Sequence, residues 1–294
     1  PLVLKSGPLE VRMDRGYPRV IGYQMSGAVL SGSAIGANQV ELNGKAAECR
    51  ITTAVRDAAS VAYTLDFPAE RIAVEIIASV AEGRFELKTG RVAEKGTVKL
   101  RTLAFPSNPV LSIRSDSPDA AVAVCHATNT NDQFGATFRE RIAPLSELKA
   151  GDRDTGNYLF LSAGPLAAGL GSNNFTDVNR CAWQVSETGG VKVFTAQAPV
   201  WEYRKYDDEA LPAELPWVRV FVTPDLNGGS RADWQDAAIA FRRGMPKPLG
   251  HETVRELVGE NIAMNFASGA QQPFLKILDE IKKIELATDG LPNQ

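Results

Sequence analysis

The chain has 294 residues, with Lys+Arg 32 against Asp+Glu 35 and a formal charge of −3. Hydrophobic residues make up 44% and charged residues 23%, an ordinary globular composition. The small, evenly spread charge argues against a nucleic-acid partner, and no apolar run approaches the ~18 residues needed to span a membrane. The only histidines, His126 and His251, are too few for a multi-His metal centre and leave little material for a Ser-His-Asp or Cys-His triad.

The chain opens on Pro1-Leu2-Val3 with no Met and no visible signal peptide, which reads as a cut or processed end. From Leu9 to about Thr223 the pattern is β. Residues 72–80 carry apolar side chains at every second position, so one face meets a core. Similar short runs occupy 20–25, 61–65, 98–105, 158–161, 191–196, 200–203 and 218–222. Turn signals lie between them, among them Asn43-Gly44, Glu82-Gly83, Ser107-Asn108-Pro109, Gly151-Asp152 and Gly189-Gly190. Many short strands without intervening helices predict packed antiparallel sheets, and the length favours a large double-sheet sandwich. Cys49, Cys125 and Cys181 show no zinc spacing and read as buried free thiols. His126, in an apolar stretch, reads as a core histidine. Gly164 to Gly171 is rich in small residues but has no phosphate-loop Lys, which rejects a nucleotide site. Asn174-Phe175-Thr176 is a formal glycosylation sequon. Trp183, Trp201, Tyr203, Tyr206 and Trp217 are candidates either for a sugar-stacking surface or for core packing.

At the junction, Asp225-Leu226-Asn227-Gly228-Gly229-Ser230-Arg231-Ala232-Asp233-Trp234-Gln235-Asp236 forms a twelve-residue loop. Oxygen-bearing side chains stand at its first, third, ninth and twelfth places, and its seventh, Arg231, offers a backbone carbonyl. Calcium loops alternate their ligands in this way. Gly229 stands at the fifth place where Asp is usual, and Asp236 is shorter than the usual Glu. A polar turn capping the following helix is the alternative. Asp233 predicts the N-cap of a helix carrying Trp234, Ala237, Ala238, Ile239 and Phe241.

Beyond it, a helix is expected over 252–258, with His251 at its start, and a buried strand over 262–267. A further helix spans 273–283, with Phe274, Ile277, Leu278 and Ile281 in one stripe, and a second strand follows over 284–288. Strand, helix, strand implies a parallel sheet, so the sequence is expected to stop inside a second domain. Asp289, directly after the last strand, and Asn265, on the first, occupy positions where barrel enzymes place functional side chains.

Several segments together resemble the endo-α-N-acetylgalactosaminidases, glycoside hydrolase family 101. They are Asp233-Trp234-Gln235-Asp236-Ala237-Ala238-Ile239-Ala240-Phe241-Arg242, Asn265-Phe266-Ala267-Ser268, Pro273-Phe274-Leu275, Leu278-Asp279, Lys282-Lys283-Ile284 and Thr288-Asp289-Gly290-Leu291. Glu41-Leu42-Asn43-Gly44-Lys45 and Ala167-Ala168-Gly169-Leu170-Gly171-Ser172-Asn173 resemble the same family's sandwich more loosely.

The resemblance implies a mainly β fold: a galactose-mutarotase-like β-supersandwich over 1–224, a calcium-loop-like linker and helix over 225–245, and over 246–294 the first strands and helix of an incomplete (β/α)8 barrel. It implies a retaining glycoside hydrolase releasing Galβ1-3GalNAc from Ser/Thr of mucin-type O-glycoproteins, secreted or on a bacterial cell surface. It implies Ca2+ at Asp225, Asn227, Gly229, Arg231 and Asp236, and places Asp289 near the mouth of the sugar site, with the family's sugar-contacting segment expected soon after Leu291; Asn265 stays a substrate-binding candidate from its strand position alone. The catalytic carboxylates are expected on later barrel strands, so no catalytic residue is assigned, the remainder of the barrel is an expected partner, and the polypeptide alone is expected to be inactive. A non-catalytic carbohydrate-binding module is the alternative. A mutarotase-type enzyme is disfavoured because only His126 could serve it from the β half.

Overall fold

The computed structural model describes residues 1–33, 36, 38–128, 137–173, 180–247, 250–254 and 274–287. Its chain divides into two compact units, Pro1–Gly244 and Met245–Gln294.

The first unit is built from three antiparallel sheets. One has eight strands in the order β1 (Leu2–Ser6), β2 (Leu9–Met13), β3 (Val20–Met25), β4 (Ala28–Ser31), β12 (Pro109–Arg114), β19 (Val191–Gln197), β18 (Cys181–Thr188) and β15 (Arg153–Gly156). The second has nine, in the order β14 (Thr137–Pro144), β13 (Ala121–Thr128), β16 (Tyr158–Ala163), β17 (Leu166–Ser172), β21 (Trp217–Thr223), β10 (Arg84–Glu94), β9 (Ile72–Ala81), β8 (Ser60–Phe67) and β7 (Arg50–Asp57). A small sheet joins β20 (Trp201–Glu202), β11 (Thr102–Ala104), β5 (Glu41–Leu42) and β6 (Lys45–Ala46).

The two large sheets face each other. β1 and β2 lie over β9, β3 over β21, β4 over β17 and β12 over β16. Alternation along each strand decides which side chains meet between them. In β9, Ile72, Val74, Ile76, Ala78 and Val80 are buried while the residues between them are less so, the pattern of a strand with one face in a core. Tyr23 crosses the core to meet Phe85 edge-on, with ring centroids 5.8 Å apart, and its hydroxyl donates to the Val110 carbonyl at 2.8 Å. The buried phenol therefore has the partner that its burial demands.

One sequence expectation changes here, and one strand lies where none was expected. Of residues 98–105 only β11 is strand. β17 lies in the small-residue run 164–171 and has no alternation, because every one of its residues is buried. Its outer side is covered by helix α1 (Trp234–Gly244), which packs on β17, β21 and β16. Gly169 makes this possible: a Cβ there would stand 3.2 Å from the Ala237 carbonyl oxygen and 3.2 Å from Phe160 Cδ1. Phe241 anchors the helix edge-on against Phe160 and Phe221, at centroid distances of 5.5 and 5.7 Å.

In the second unit the described elements are α2 (His251–Val254) and α3 (Phe274–Ala287). The strand expected over 284–288 is overturned through Ala287, because these residues continue α3. Ile284 follows Ile281 by three and Ile277 by seven, and all three are half-buried, so one helical stripe runs through the supposed boundary. Lys283 reaches Asp279 at 2.6 Å across one turn, an i,i+4 pairing that only a helix provides. The strand expected over 262–267 lies outside the described residues.

Candidate functional site

Residues 225–236 connect β21 to α1. Asp233 is the N-cap: its Oδ1 accepts from the Gln235 N–H at 2.8 Å and the Asp236 N–H at 3.4 Å. Asp236 is fully buried. Its Oδ1 accepts from the N–H groups of Leu226 (2.7 Å) and Asn227 (2.9 Å), and its Oδ2 from that of Asp233 (2.8 Å). One carboxylate thus ties the start of the loop to the start of the helix.

Within the loop, Asp225 Oδ1 accepts from Gly228 N–H at 2.8 Å and Gly229 N–H at 3.2 Å, and Asn227 Oδ1 accepts from Gly229 N–H at 2.8 Å. Gly228 and Ser230 turn the chain with φ of 76° and 67°. The Arg231 guanidinium leaves the loop to meet Asp119 at 3.0 Å. A cleft of about 340 Å3 lies beside the loop, lined in part by Asp119, Ile142, Ser162, Arg231, Asp233 and Trp234. Asp119 carries no motif, so sequence reading missed this partner; only the pairing in space marks it.

The loop's oxygens suit a hard cation. A carbon placed as Cβ on Gly229 would sit 2.9 Å from Asn227 Oδ1 and 3.8 Å from the Arg231 carbonyl oxygen. Those two oxygens therefore border one small volume beside Gly229. Carboxylate, amide and carbonyl oxygens are the donors that Ca2+ selects. Gly229 supplies no side-chain oxygen and instead leaves the space open. Among the described residues no group of three His, Cys, Asp or Glu gathers as a metal site, and both oxygens of Asp236 already accept from backbone N–H groups.

The aromatic candidates resolve as core. Trp183, Trp201, Tyr203 and Trp217 are all buried. Trp183 stacks on Phe194 at 5.7 Å, and the Tyr203 hydroxyl shares a 2.7 Å hydrogen bond with Thr89. Arg219 lies 3.8 Å over the Trp217 ring while its Nε donates to Glu86 at 2.6 Å. Tyr206 alone of the five is well exposed, at 60%, and one ring does not make a stacking surface. Asn265, Asp289 and the sequon fall outside the described residues, as does the side chain of His126. Cys181 is buried and Cys49 half-buried, both as free thiols; burial pushes the Cys181 thiol up to about 12.

An antiparallel supersandwich with a capped helix laid across one sheet defines the class: a galactose mutarotase-like domain. The family model described as a galactose mutarotase-like fold domain matches residues 4–234, and that described as endo-alpha-N-acetylgalactosaminidase matches residues 235–294. The chain belongs to the galactose mutarotase-like fold domain family, and its residues 235–294 are similar to the endo-alpha-N-acetylgalactosaminidase family. A Renibacterium salmoninarum protein described as "Putative endo-alpha-N-acetylgalactosaminidase" is 28% identical over 311 aligned residues, covering 99% of this chain and 20% of that protein. The chain thus spans one fifth of the curated relative's length. The solved structure of the alpha-N-acetylgalactosaminidase NagBb from Bifidobacterium bifidum in complex with GalNAc superposes with a TM-score of 0.52 at 13% identity, covering 98% of this chain and 50% of that one. At that identity the likeness is one of fold.

Proposed function

We propose that this polypeptide is the supersandwich and opening catalytic-domain segment of a retaining endo-α-N-acetylgalactosaminidase. Its reaction is the release of Galβ1-3GalNAc from Ser/Thr of mucin-type O-glycoproteins by a bacterial enzyme that is secreted or held at the cell surface. One observation carries the reading: the two family matches abut at residues 234 and 235, inside the loop-and-helix junction. Retaining hydrolysis uses two carboxyl groups about 5–5.5 Å apart, one as nucleophile and one as acid/base. We place that pair on the remainder of the barrel, with Asn265 and Asp289 contributing sugar contacts. The test is hydrolysis of a chromogenic Galβ1-3GalNAc α-glycoside. A polypeptide extended to the length of the relative is expected to release the disaccharide, and the 294-residue chain to release none. Release by the short chain, or failure of an extended and folded one, overturns the reading.

The loop's fit to Ca2+ supports a second part of the proposal. Asp225, Asn227 and the Arg231 carbonyl would hold the ion, with Gly229 leaving room for it; Asp236 would reach it only by releasing backbone N–H groups that it now binds. Bound there, calcium would supply a structural charge that fixes the entrance to α1. Isothermal titration of metal-stripped chain with CaCl2 tests this directly, and absence of a binding isotherm would remove the ion from the proposal.

A further inference from the structure

The outward face of the eight-stranded sheet carries a cavity of about 440 Å3 at its β15 edge, a size within the ~300–1,000 Å3 usual for small-molecule sites. Strand register explains its lining. Arg153 stands opposite Gln184 and Thr155 opposite Ala182 across β15 and β18. Gln184 then stands opposite Thr195, and Ala182 opposite Gln197, across β18 and β19. Residues opposite one another in a ladder share a face, so all six point to the same side. The residues alternating with them, Trp183, Val185, Phe194 and Ala196, are buried in the core. The six-residue cluster is therefore the outward face.

The chemistry of this face is specific. Ala182 gives a low apolar floor. Gln184 and Gln197 each offer an amide that both donates and accepts, Arg153 offers a planar donor fork, and Thr155 a hydroxyl. Thr195, between Gln184 and buried Ser112 in the ladder, holds a buried Oγ1 with no hydrogen-bond partner. That atom is closed off from solvent, and the cavity is lined instead by Arg153, Thr155, Ala182, Gln184 and Gln197, which supply a ligand's partners. Asp154 also borders the cavity but stands opposite Trp183, in the set that alternates with the outward-facing residues; Arg153 is a single cation among otherwise neutral outward side chains, a lining suited to a neutral polar ligand.

We propose that this cavity is a non-catalytic binding site for a neutral saccharide, with one pyranose residue on Ala182 and its vicinal hydroxyls bonded to Gln184, Gln197 and Arg153. The site needs no acid/base pair and stands apart from the loop at 225–236. It is independent of the hydrolase reading, because its ligand is argued from the cavity alone.

Heteronuclear NMR of the 15N-labelled chain, titrated with galactose, N-acetylgalactosamine and inorganic sulfate in separate arms, tests it. Either sugar is expected to shift amides of 153–156, 181–186 and 193–197 together, with sulfate leaving them in place. Gln184→Ala with Gln197→Ala is expected to weaken the sugar by about tenfold while the melting temperature stays at that of the parent. Both side chains stand at the surface, and thermal melting separates lost binding from lost fold. Absence of shifts in these segments with either sugar, an equal response to sulfate, or parental affinity in the folded double variant overturns the proposal.

Discussion

The Ala237 carbonyl oxygen of α1 lies 3.2 Å from the point where a Cβ on Gly169 of β17 would stand. Helix and sheet approach each other through a missing side chain. Phe160 Cδ1 closes the same space from the neighbouring strand, also at 3.2 Å. A Cβ at 169 asks α1 or the Phe160 ring, which already packs against Phe241, to give slightly, and a branched side chain asks for more. Gly169→Val is expected to destabilise the chain by about 1–3 kcal/mol, the usual cost of overpacking. Urea unfolding measures it, with the shift appearing in the midpoint rather than the slope. A parental midpoint would show that the helix seat is loose.

Asp236 makes a sharper demand. Its two oxygens satisfy three backbone N–H groups, those of Leu226, Asn227 and Asp233. Asp236→Ala strands all three and is expected to cost about 2–4 kcal/mol, since a buried unsatisfied donor costs roughly 1–3 kcal/mol and part of the loop will rehydrate. Asp236→Asn keeps one carbonyl oxygen as acceptor and is expected to cost less. Equal midpoints for the two variants would count against the geometry.

This residue also marks how far the sequence could be read. The twelve-residue spacing and the Asp233 cap were visible as pattern, and α1 forms where the cap and the 237–241 stripe place it. The amides that Asp236 accepts were not visible, because a carboxylate at a ligand position and one at a backbone-tying position look alike in sequence. Strand β9 was legible since only one of its faces is buried. β17 was not, since α1 buries its second face and erases the alternation. Ile284-Glu285-Leu286-Ala287 satisfies a two-residue and a helical period at once. Only its phase with Ile277 and Ile281 decides for helix. The aromatic residues were ambiguous for a related reason, as composition does not say which side of a strand a Trp faces.

Asp14 gives the fold a pH dependence. Burial pushes its carboxyl up, but the Gly16 N–H at 2.8 Å and the Arg19 guanidinium outweigh burial and hold it below the usual carboxylate range. A group whose folded pKa is depressed contributes stability above its unfolded value, about 3.9 for Asp, and that contribution is lost as pH falls through the folded value. Asp14→Asn is therefore expected to be less stable than the parent at neutral pH and to converge on it in strong acid. A stability gap that persists unchanged into acid would remove the linkage.

Cys181 is expected to resist thiol reagents. Burial within the sandwich core raises its pKa to about 12, so little thiolate exists at pH 8 and none of it meets solvent. In a variant carrying Cys49→Ser and Cys125→Ser, the remaining thiol is expected to stay silent toward an aromatic disulfide in buffer and to react fully in guanidinium. Rapid labelling of the native variant would place Cys181 outside the core.

Gly229 separates the two readings of the loop. Its φ is not in the left-handed region, so the backbone accepts an L side chain, and the nearest obstacle is the end of the flexible Asn227 side chain. Gly229→Asp adds a third carboxylate to Asp225 and Asp236. Without metal, it brings like charges together and crowds Asn227, and the melting temperature is expected to fall. With calcium, the same charge becomes a ligand, and affinity is expected to rise by about tenfold, since ligand charge count tunes such loops. An ion that binds only the folded state stabilises by mass action, so the calcium-induced rise in melting temperature should be larger in the variant than in the parent. A bare capped turn predicts the opposite pattern: a fall in both buffers and no response to calcium in either protein. Thermal melts of parent and variant, each stripped and then titrated, distinguish the two outcomes without reference to catalysis.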